Sequence, residues 1–571
     1  MNGTQRRARI FRAAVACVLS FATLAPALAA AAETDEGPRF AITGFDLRGF
    51  DPLPAGHAEA VLAPFTGPGA SLTRLREAVA ALEGALRAQG MGLYRVTLPP
   101  QTLEGRVILA VTPQRLDRIE VQGHSFSSEA QVLRSLPALV TGNTPDLHRL
   151  AAQTTLANDS PVRQVQVVLR EGRADRTGSS PGGDAGPGTA GVPWEADKVD
   201  AIVRVREQRP TSMSVTVSNH GSAATGHDRF TVSGRHADLG GRDIDLQASY
   251  TTSLERPHDV RQAGVALRVP LYPQGAQLSG FITRSDIVGD FGDFRSTGAG
   301  SVSGLELATY LPTGGQTRHR VALTLQDRVF EASRIDDQVL PGQVDRRTRP
   351  WGLRYAGRLD AQPEQSPGGA GASAVGPSVP GVGAWQWAAE WLSNTAAGAG
   401  NDLAAYQSED PRVHELRWQV LRLSLANQRE LANWRLLWRA QGQLASTALI
   451  AGEQFGLGGL NSVRGTREER PLAGDSGWQG SVELATPARE GWRVIGFVDA
   501  GGIASRPASD GEPARDRLAS AGLGLRWGLP GFAMVLDWGR IITGSRVPLA
   551  VRPSAPQRGD ERLYLALTFS F

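Results

Sequence analysis

From Gln208 to its last residue, the chain consists of short segments in which apolar and polar residues alternate. Because successive side chains of a β-strand point to opposite faces of a sheet, such segments predict strands with one apolar and one polar face. We count about sixteen of them, an even number that suits a closed antiparallel barrel in a membrane. Their predicted starts are near Ser212, Asp228, Asp243, Val260, Ala276, Thr297, Thr317, Trp351, Gly383, His414, Asn433, Trp478, Trp492, Arg517, Gly531 and Arg562.

One of these segments changes phase. Its apolar residues are Leu416, Trp418 and Val420, followed by Leu423 and Leu425, so the alternation slips by one residue. We therefore predict a β-bulge within this strand, because a bulge inserts one extra residue.

The last segment suits a strand that faces lipid. Large apolar residues alternate with small or polar ones in the order Leu563, Tyr564, Leu565, Ala566, Leu567, Thr568, Phe569, Ser570 and Phe571. This arrangement fits lipid outside the barrel and a water-filled lumen inside it. We expect Phe569 and Phe571 to form the C-terminal signal that the barrel-assembly machinery reads when it inserts such proteins.

The first residues have the composition of a secretory signal peptide. Four arginines, at positions 6, 7, 9 and 12, precede an apolar run from Ala13 to Leu24, and Ala27-Leu28-Ala29 follows. We predict a signal peptide over residues 1–29, too short to remain in a bilayer as an anchor. Cys17, the only cysteine, lies inside the run, so the mature chain would have no disulfide and no cysteine metal ligand. A lipoprotein anchor at Cys17 is the alternative, although it would cut the apolar run in half.

The formal charge does not favour nucleic acid as a partner. The whole chain carries +3, and removal of the predicted signal deletes four arginines and no acidic residue, which lowers the charge to −1. No later stretch approaches about 18 consecutive apolar residues, so a membrane-embedded form must be a barrel. The signal and the alternating segments together favour an outer-membrane barrel over a secreted β-sandwich.

Two similar α+β modules precede the predicted barrel. Phe45, Leu47 and Gly49 of the first stand 74 residues before Ile119, Val121 and Gly123 of the second. In each module a helical stretch and two extended pieces follow, and leucines spaced by three and four mark the first helix. We interpret the modules as an internal repeat of β-α-α-β-β units, with chance similarity between two α+β segments as the alternative.

These patterns predict the domain organisation. The signal covers residues 1–29, the first module 30–113, the second module 114–207 and the barrel 208–571. A stretch rich in Gly, Ser and Pro at residues 173–197 predicts a flexible loop in the second module, and the similar tract at 362–382 has the same interpretation.

No motif for catalysis or metal binding stands out. The nine histidines are scattered, and neither a Gly-x-Ser-x-Gly motif nor a complete dinucleotide-binding glycine motif is present. We therefore expect a protein that is not an enzyme and that needs no cofactor or metal. A barrel hydrolase whose serine and histidine meet only in three dimensions is the alternative.

The segment LGGLNSVRGTREER, residues 457–470, lies in a predicted long loop of residues 447–476. It has neither helical nor strand periodicity, and it places Arg464 between Val463 and Gly465. On this pattern alone, a solvated arginine of a surface loop is the simplest interpretation.

Three elements give a resemblance to a known family. These are Gly458-Gly459, Ser462-Val-Arg-Gly465 and, some 30 residues later, Gly496-Phe-Val-Asp-Ala-Gly501, in a chain whose last strand ends at Phe571. They resemble the two-partner secretion transporters (TpsB; ShlB/FhaC/HecB type), which belong to the superfamily of outer-membrane proteins with POTRA domains and a barrel. The resemblance implies a mainly β fold, in which two α+β POTRA-like periplasmic domains precede a transmembrane β-barrel of about 16 strands.

The same resemblance implies a role for the long loop. In the family, the Val-Arg-Gly segment forms the tip of a loop that folds back into the barrel. Carried over, Val463, Arg464 and Gly465 form the tip, and Arg464 pairs with Asp499 in the wall motif Phe497, Asp499 and Gly501. Gly465 would allow the close approach of two backbones, and a bidentate arginine–carboxylate contact would hold the loop in place.

Two departures from the family pattern bear on the pore. Thr466 stands where the family usually has an aromatic residue, so we expect the loop tip to dock less tightly. About ten residues separate the predicted signal from the first extended piece, which leaves no room for the N-terminal plug helix of many members. We therefore expect a pore that is more open, or gated by the loop alone.

The function implied is export of a secreted, β-rich partner protein of TpsA type. The POTRA-like domains would capture the unfolded partner in the periplasm of a Gram-negative bacterium by adding it as a strand to a sheet edge, and it would cross the lumen without nucleotide hydrolysis. Lipid of the outer membrane and the barrel-assembly machinery are the other expected partners, and nucleic acid is not. An assembly insertase of the same superfamily, with its larger number of POTRA units, and a passive porin are the alternatives.

Overall fold

The computed structural model describes residues 39–571, except 50, 104, 172–197, 223–224, 287, 292–293, 298, 312–316, 333, 336–337, 340, 360–382 and 510. The predicted signal peptide, the predicted flexible loop at 173–197 and the similar tract at 362–382 lie outside the described residues. No helix in the described ranges is long and apolar enough to cross a membrane.

The first domain is a small sheet with two helices. Its four strands have the order β2-β1-β4-β3, in which β1 runs parallel to β4 and antiparallel to β2. Leu75 and Leu82 of the second helix are buried, because their spacing places them on one helical face. The elements are β1 (Phe40–Gly49), α1 (His57–Leu62), β2 (Gly67–Ala70), α2 (Leu72–Ala88), β3 (Tyr94–Thr97) and β4 (Gly105–Pro113).

The second domain repeats this topology with three strands in the order β5-β7-β6. In both domains the last strand lies between the first and the penultimate strand, and the first strand runs parallel to it. Ser128 and Asp146 cap the two helices by accepting backbone N–H groups of the first turns. The elements are β5 (Arg115–Gln122), α3 (Glu129–Arg134), α4 (Leu147–Ala157), β6 (Arg163–Glu171) and β7 (Lys198–Glu207).

The rest of the described chain forms a closed antiparallel barrel of sixteen strands, as predicted. Pairing of the last strand with the first closes the barrel. One of the sixteen strands is interrupted at Arg349, so it consists of two parts, Arg346–Thr348 and Pro350–Leu359, which both pair with the preceding strand. The strands are β8 (Thr211–Ser218), β9 (Arg229–Leu239), β10 (Ile244–Thr252), β11 (Arg261–Leu271), β12 (Ala276–Ser285), β15 (Gly300–Leu311), β16 (Thr317–Phe330), β19 (Arg346–Thr348), β20 (Pro350–Leu359), β21 (Trp385–Asn394), β22 (Gln419–Leu431), β23 (Trp434–Ala445), β26 (Ser476–Ala485), β27 (Trp492–Ala504), β28 (Arg515–Leu529), β29 (Phe532–Thr543) and β30 (Glu561–Ser570).

The two ends of the barrel differ. The proximal end, where β8 begins and β30 ends, has tight turns such as that of Ala432 and Asn433, both with positive φ. The distal end has long connections that contain helix α5 (Leu403–Glu409) and small hairpins. The hairpin strands are β13 (Val288–Phe291) with β14 (Phe294–Thr297), β17 (Arg334–Ile335) with β18 (Gln338–Val339), and β24 (Phe455–Leu457) with β25 (Leu472–Gly474).

The predicted bulge near Val420 is wrong. Strand β22 begins at Gln419, five residues after the predicted start, and its register with both neighbours runs without interruption. Trp418 and Leu416 instead join a buried apolar cluster of the distal connections, around Tyr406 and Leu449. The apparent change of phase therefore marks the boundary between a packed connection and a strand.

The two faces of the barrel follow the alternation. Leu563 and Phe569 are exposed on the outside of β30, whereas Tyr564 and Ala566 are buried on the inside. Stacked tryptophans lie at the proximal end (Trp492 and Trp527, 4.5 Å between ring centroids), and an edge-to-face pair lies at the distal end (Trp351 and Trp391, 5.0 Å). An apolar exterior with aromatic residues near both rims is the surface expected for contact with lipid.

Candidate functional site

The connection between β23 and β26, residues 446–475, folds back into the barrel. Its neck is the hairpin of β24 and β25. Val463 and Leu457 are fully buried and pack in an apolar cluster with Leu518 of β28 and Ile541 of β29. Arg464 and Thr466 have at most 1% of their surface exposed. The segment that carries Arg464 is therefore enclosed by the barrel wall rather than solvated at the surface.

Glycines and short polar side chains shape the tip of this loop. Gly458, Gly459 and Gly465 have φ values of 101°, 102° and 104°, which L side chains rarely adopt. The Gly458 N–H donates to Ser462 Oγ (3.1 Å), and the Gly459 N–H donates to Thr466 Oγ1 (2.8 Å). These bonds close the tip on itself, so that Arg464 projects toward the wall.

Arg464 and Asp499 form a bidentate ion pair. The Nε and Nη2 atoms of Arg464 each donate to one Asp499 oxygen at 2.8 Å, and the backbone N–H of Arg464 also donates to Asp499 (3.2 Å). Asp499 is fully buried, whereas the neighbouring Val498 is 56% exposed on the lipid side, as the alternation predicts. The Arg464 guanidinium also stacks 3.4 Å from the centroid of the Phe497 ring.

Other lumen-facing residues complete a polar network that sequence reasoning missed. Glu483 of β26 lies 2.9 Å from Arg464 Nη2, and Asp537 of β29 lies 3.4 Å from Nη1. Arg526 donates to Asp537 (2.9 Å), and Arg439 lies 3.5 Å from Glu483. Three arginines thus meet three carboxylates among the described residues of this network. The attraction and the hydrogen bonds within such a network offset the cost of removing these charges from water.

The predicted wall motif contacts the loop at each of its three positions. Phe497, Asp499 and Gly501 alternate along β27 and face the lumen. Phe497 and Asp499 hold the guanidinium of Arg464. A Cβ at Gly501 would lie 2.3 Å from Leu457 Cδ1, so glycine leaves room for the neck of the loop.

Thr466 and Tyr564 hold the residues after Arg464. Thr466 is fully buried, and Tyr564 of β30 donates its hydroxyl to the Thr466 carbonyl oxygen (3.0 Å). The same hydroxyl accepts the N–H of Gly465 (3.2 Å). The sequence-based expectation of a loosely docked tip rested on Thr466 alone. Tyr564 could have been found from its alternation with Leu563 and Leu565, which places it on the lumen face.

Phe569 and Phe571, the predicted assembly signal, lie away from this network. Phe571 pairs with Met213 at the junction of the last and first strands (N to O distances of 2.8 and 3.2 Å). Its side chain is 79% exposed. The two residues therefore belong to the closure of the barrel and not to the loop site.

Comparisons with known proteins agree with this architecture. A family model described as haemolysin secretion/activation protein ShlB/FhaC/HecB matches residues 198–527, more than half of the chain, and a ShlB-type POTRA domain model matches residues 40–113. The chain is similar in structure to CdiB from Escherichia coli, with a TM-score of 0.70 and 18% identity over 100% of this chain and 98% of that chain. For CdiB from Acinetobacter baumannii the TM-score is 0.66 and the identity 16%, over 99% and 98% of the two chains. No curated protein sequence matches the chain significantly.

Proposed function

This chain belongs to the haemolysin secretion/activation protein family ShlB/FhaC/HecB, the outer-membrane transporters of two-partner secretion, and we propose that it exports an unfolded partner protein through its barrel. The barrel lies in the outer membrane and the POTRA domain lies in the periplasm. The proximal end of the barrel would then be the periplasmic end, because β8 begins there directly after β7 of the second POTRA-like domain. The partner would be secreted and rich in β-structure. Its passage would need no nucleotide, because folding outside the cell can make it directional.

Capture of the partner would use sheet edges in the periplasm. Strands β2 and β3 are the edges of the first sheet, and β5 and β6 those of the second. An extended segment can pair with such an edge through backbone hydrogen bonds, which require little side-chain selectivity. This mode suits a transporter that receives its partner before it has folded.

The long loop would act as a latch that the partner displaces. The observation that carries this role is the bidentate Arg464–Asp499 pair, which ties an otherwise irregular segment to the lumen wall. A buried ion pair adds little net stability over apolar packing, but loss of one partner leaves an uncompensated buried charge. The pair thus specifies one position of the loop inside the barrel. Breaking the pair would release the loop, and displacement of the loop would open the lumen.

Charge reversal tests the latch. We expect Arg464→Asp and Asp499→Arg each to abolish export while the barrel still assembles, as judged by its heat-modifiable migration in gels. The double exchange should restore part of the export, because it reverses the pair but leaves Glu483 and Asp537 in place. Arg467→Asp is the matched control, since Arg467 lies in the same loop and its side chain is 78% exposed. Normal export by both single variants would contradict the latch.

Co-expression separates export from the alternatives. The probe is the long secreted protein encoded beside this chain, if one is present, and its appearance in the medium only with this transporter supports export. Misassembly of other outer-membrane proteins on depletion, with no secreted partner, would instead favour an assembly insertase.

A further inference from the structure

A second buried carboxylate lies in the long loop, immediately before its neck. Glu453 ends a single 3-10 turn, Ala451–Glu453, two residues before β24 begins. The residue is fully buried. Its backbone N–H donates to the Ile450 carbonyl oxygen (2.9 Å), and its own carbonyl oxygen accepts a hydrogen bond from Gln443 of β23 (2.9 Å). A carboxylate removed from water in this way needs positive charge and hydrogen-bond donors around it.

Three strands of the barrel wall supply these partners. Arg328 of β16 donates to Oε2 of Glu453, and Nη2 of Arg422 on β22 lies 3.6 Å from the same oxygen. Thr348 of β19, which is also fully buried, donates its hydroxyl to Oε1 of Glu453 (2.7 Å). Only 11% of the Arg328 side chain is exposed. Water and salt therefore screen this ion pair much less than a pair at the surface.

The backbone beside Glu453 packs against the same wall. A Cβ on Gly452 would lie 2.2 Å from Cε1 of Phe330, the last residue of β16. Phe330 is itself buried, so a larger residue at position 452 would have to displace a packed ring. Close packing and charge pairing thus both hold this part of the loop to β16.

The two ion pairs of the loop use different parts of the barrel wall. The side-chain contacts of Glu453 lie on β16, β19 and β22, whereas the ion pairs of Arg464 lie on β26, β27 and β29. Among these described contacts, no strand serves both residues. Groups that share no partner contribute almost independently to stability, so one attachment can break while the other persists.

We propose that Glu453 is the hinge anchor of the long loop, held by Arg328 and Thr348 while the Arg464–Asp499 pair opens and closes. The tip would swing about a fixed neck and return to the same place on the wall. The neck resists displacement, because removal of Glu453 from Arg328 would leave an uncompensated buried charge. That the tip opens for an exported polypeptide rests on the proposed function, whereas the attachment of the neck does not.

Hydrogen exchange of the full-length protein in detergent micelles tests this proposal. The neck is followed in the amides of residues 451–457, and the tip in those of residues 458–466. Glu453→Gln keeps the size of the side chain and should speed exchange of the neck amides by about tenfold or more, because it leaves Arg328 without its counter-charge. Arg464→Met should speed exchange of the tip amides by a similar factor and leave the neck amides unchanged.

Three further variants assign the effect to the buried pair. Glu453→Gln with Arg328→Gln should recover part of the neck protection, because the charge of Arg328 is no longer left alone. Glu415→Gln makes the same change at an exposed position before β22, and it should exchange like the wild type. If Glu453→Gln does not assemble, Thr348→Val removes one hydrogen bond only and should speed exchange of the neck roughly threefold.

The outcomes separate this inference from the proposed function. Wild-type exchange of the neck in assembled Glu453→Gln, or in Thr348→Val where that variant replaces it, would overturn the anchor. Equal loosening of the neck by Arg464→Met and Glu453→Gln would overturn the hinge, because the two attachments would then open together. The expected exchange pattern without any exported partner would contradict export alone, and export with an unaltered neck in Glu453→Gln would contradict the anchor alone.

Discussion

Gly465 at the tip of the long loop and Gly539 on β29 lie backbone against backbone inside the barrel. A Cβ on Gly465 would be 2.9 Å from the Gly539 carbonyl oxygen, and a Cβ on Gly539 would be 2.9 Å from the Arg464 carbonyl carbon. Real side chains do not approach backbone this closely, so both positions need glycine. The contact brings Arg464 within bonding distance of Asp499 on β27.

Gly539→Ala should therefore weaken the docking of the loop while the barrel assembles. The added methyl group meets backbone atoms that cannot rotate away, and overpacking of this kind costs about 1–3 kcal/mol. We expect higher sensitivity of cells to a large antibiotic that an intact outer membrane excludes. Gly496→Ala on β27 is the control, since a Cβ there meets nothing within 4 Å. Equal antibiotic sensitivity of the two variants would show that the contact does not hold the loop.

Tyr564→Phe should make the pore open more often. Loss of the hydroxyl leaves the Gly465 N–H without this partner and leaves the Thr466 carbonyl with only the longer bond from Arg562 Nη1 (3.4 Å). An unsatisfied buried group costs about 1–3 kcal/mol. We expect an open probability at least roughly tenfold higher in planar bilayer recordings. Tyr250→Phe is the control because Tyr250 is 45% exposed on the outside of β10. If both variants gate like the wild type, the hydroxyl does not restrain the loop.

Arg163→Met should loosen the second periplasmic domain from the barrel. Arg163 of β6 lies 2.7 Å from Asp243 in the turn between β9 and β10, and Tyr272 also donates to Asp243 (2.8 Å). The side chains of the pair are only 3% and 9% exposed, so removal of one charge costs about 3–5 kcal/mol. Limited proteolysis of the full chain should cleave faster near residue 208.

Two further variants qualify this prediction. Arg163→Met with Asp243→Asn should recover part of the resistance to protease, because no buried charge is left alone. Lys198→Met breaks a pair in the same domain whose side chains are 58% and 45% exposed, and it should change little. Cleavage of Arg163→Met at the Lys198→Met rate would refute the expected role of the buried pair.

Low pH should destabilise the turn at residues 125–127. Burial raises the pKa of the Glu207 carboxyl, but hydrogen bonds from the Ser127 hydroxyl and from the N–H groups of Phe126, Ser125 and Ser127 outweigh it and hold the pKa below its ordinary value of 4.5. Because the folded pKa lies below the unfolded one, this stabilisation is present above pH 4.5 and is lost as the pH falls through the folded value.

Hydrogen exchange of the full chain measures this effect. Protection factors of the 125–127 amides should be higher in the wild type than in Glu207→Gln near about pH 7, and the difference should disappear in acid. Glu171→Gln, at the far end of β6, should exchange like the wild type throughout. A difference between wild type and Glu207→Gln that is constant with pH would mean that the carboxylate charge is not responsible.

Much of the architecture could be predicted from local pattern. The alternation of side chains depends only on backbone geometry, so it predicted the sixteen strands and placed Asp499 inside and Val498 outside without knowledge of neighbours. The wrong prediction of a bulge near Trp418 has the same cause, because a local pattern cannot distinguish an apolar residue packed in a connection from the next residue of a strand. The Arg464–Asp499 contact followed from the motif resemblance and not from alternation.

The sequence by itself therefore determined which residues face the lumen, because that depends on the two-residue period of each strand alone. Only the tertiary structure decided which of them meet, since the register between strands sets the height of each side chain in the barrel. Glu483, Asp537 and Tyr564 converge on the loop from three different strands, and Arg318 meets Arg358 only through the pairing of β16 with β20. Pairing of this kind depends on hydrogen bonds between distant segments, and no periodicity along one strand encodes it.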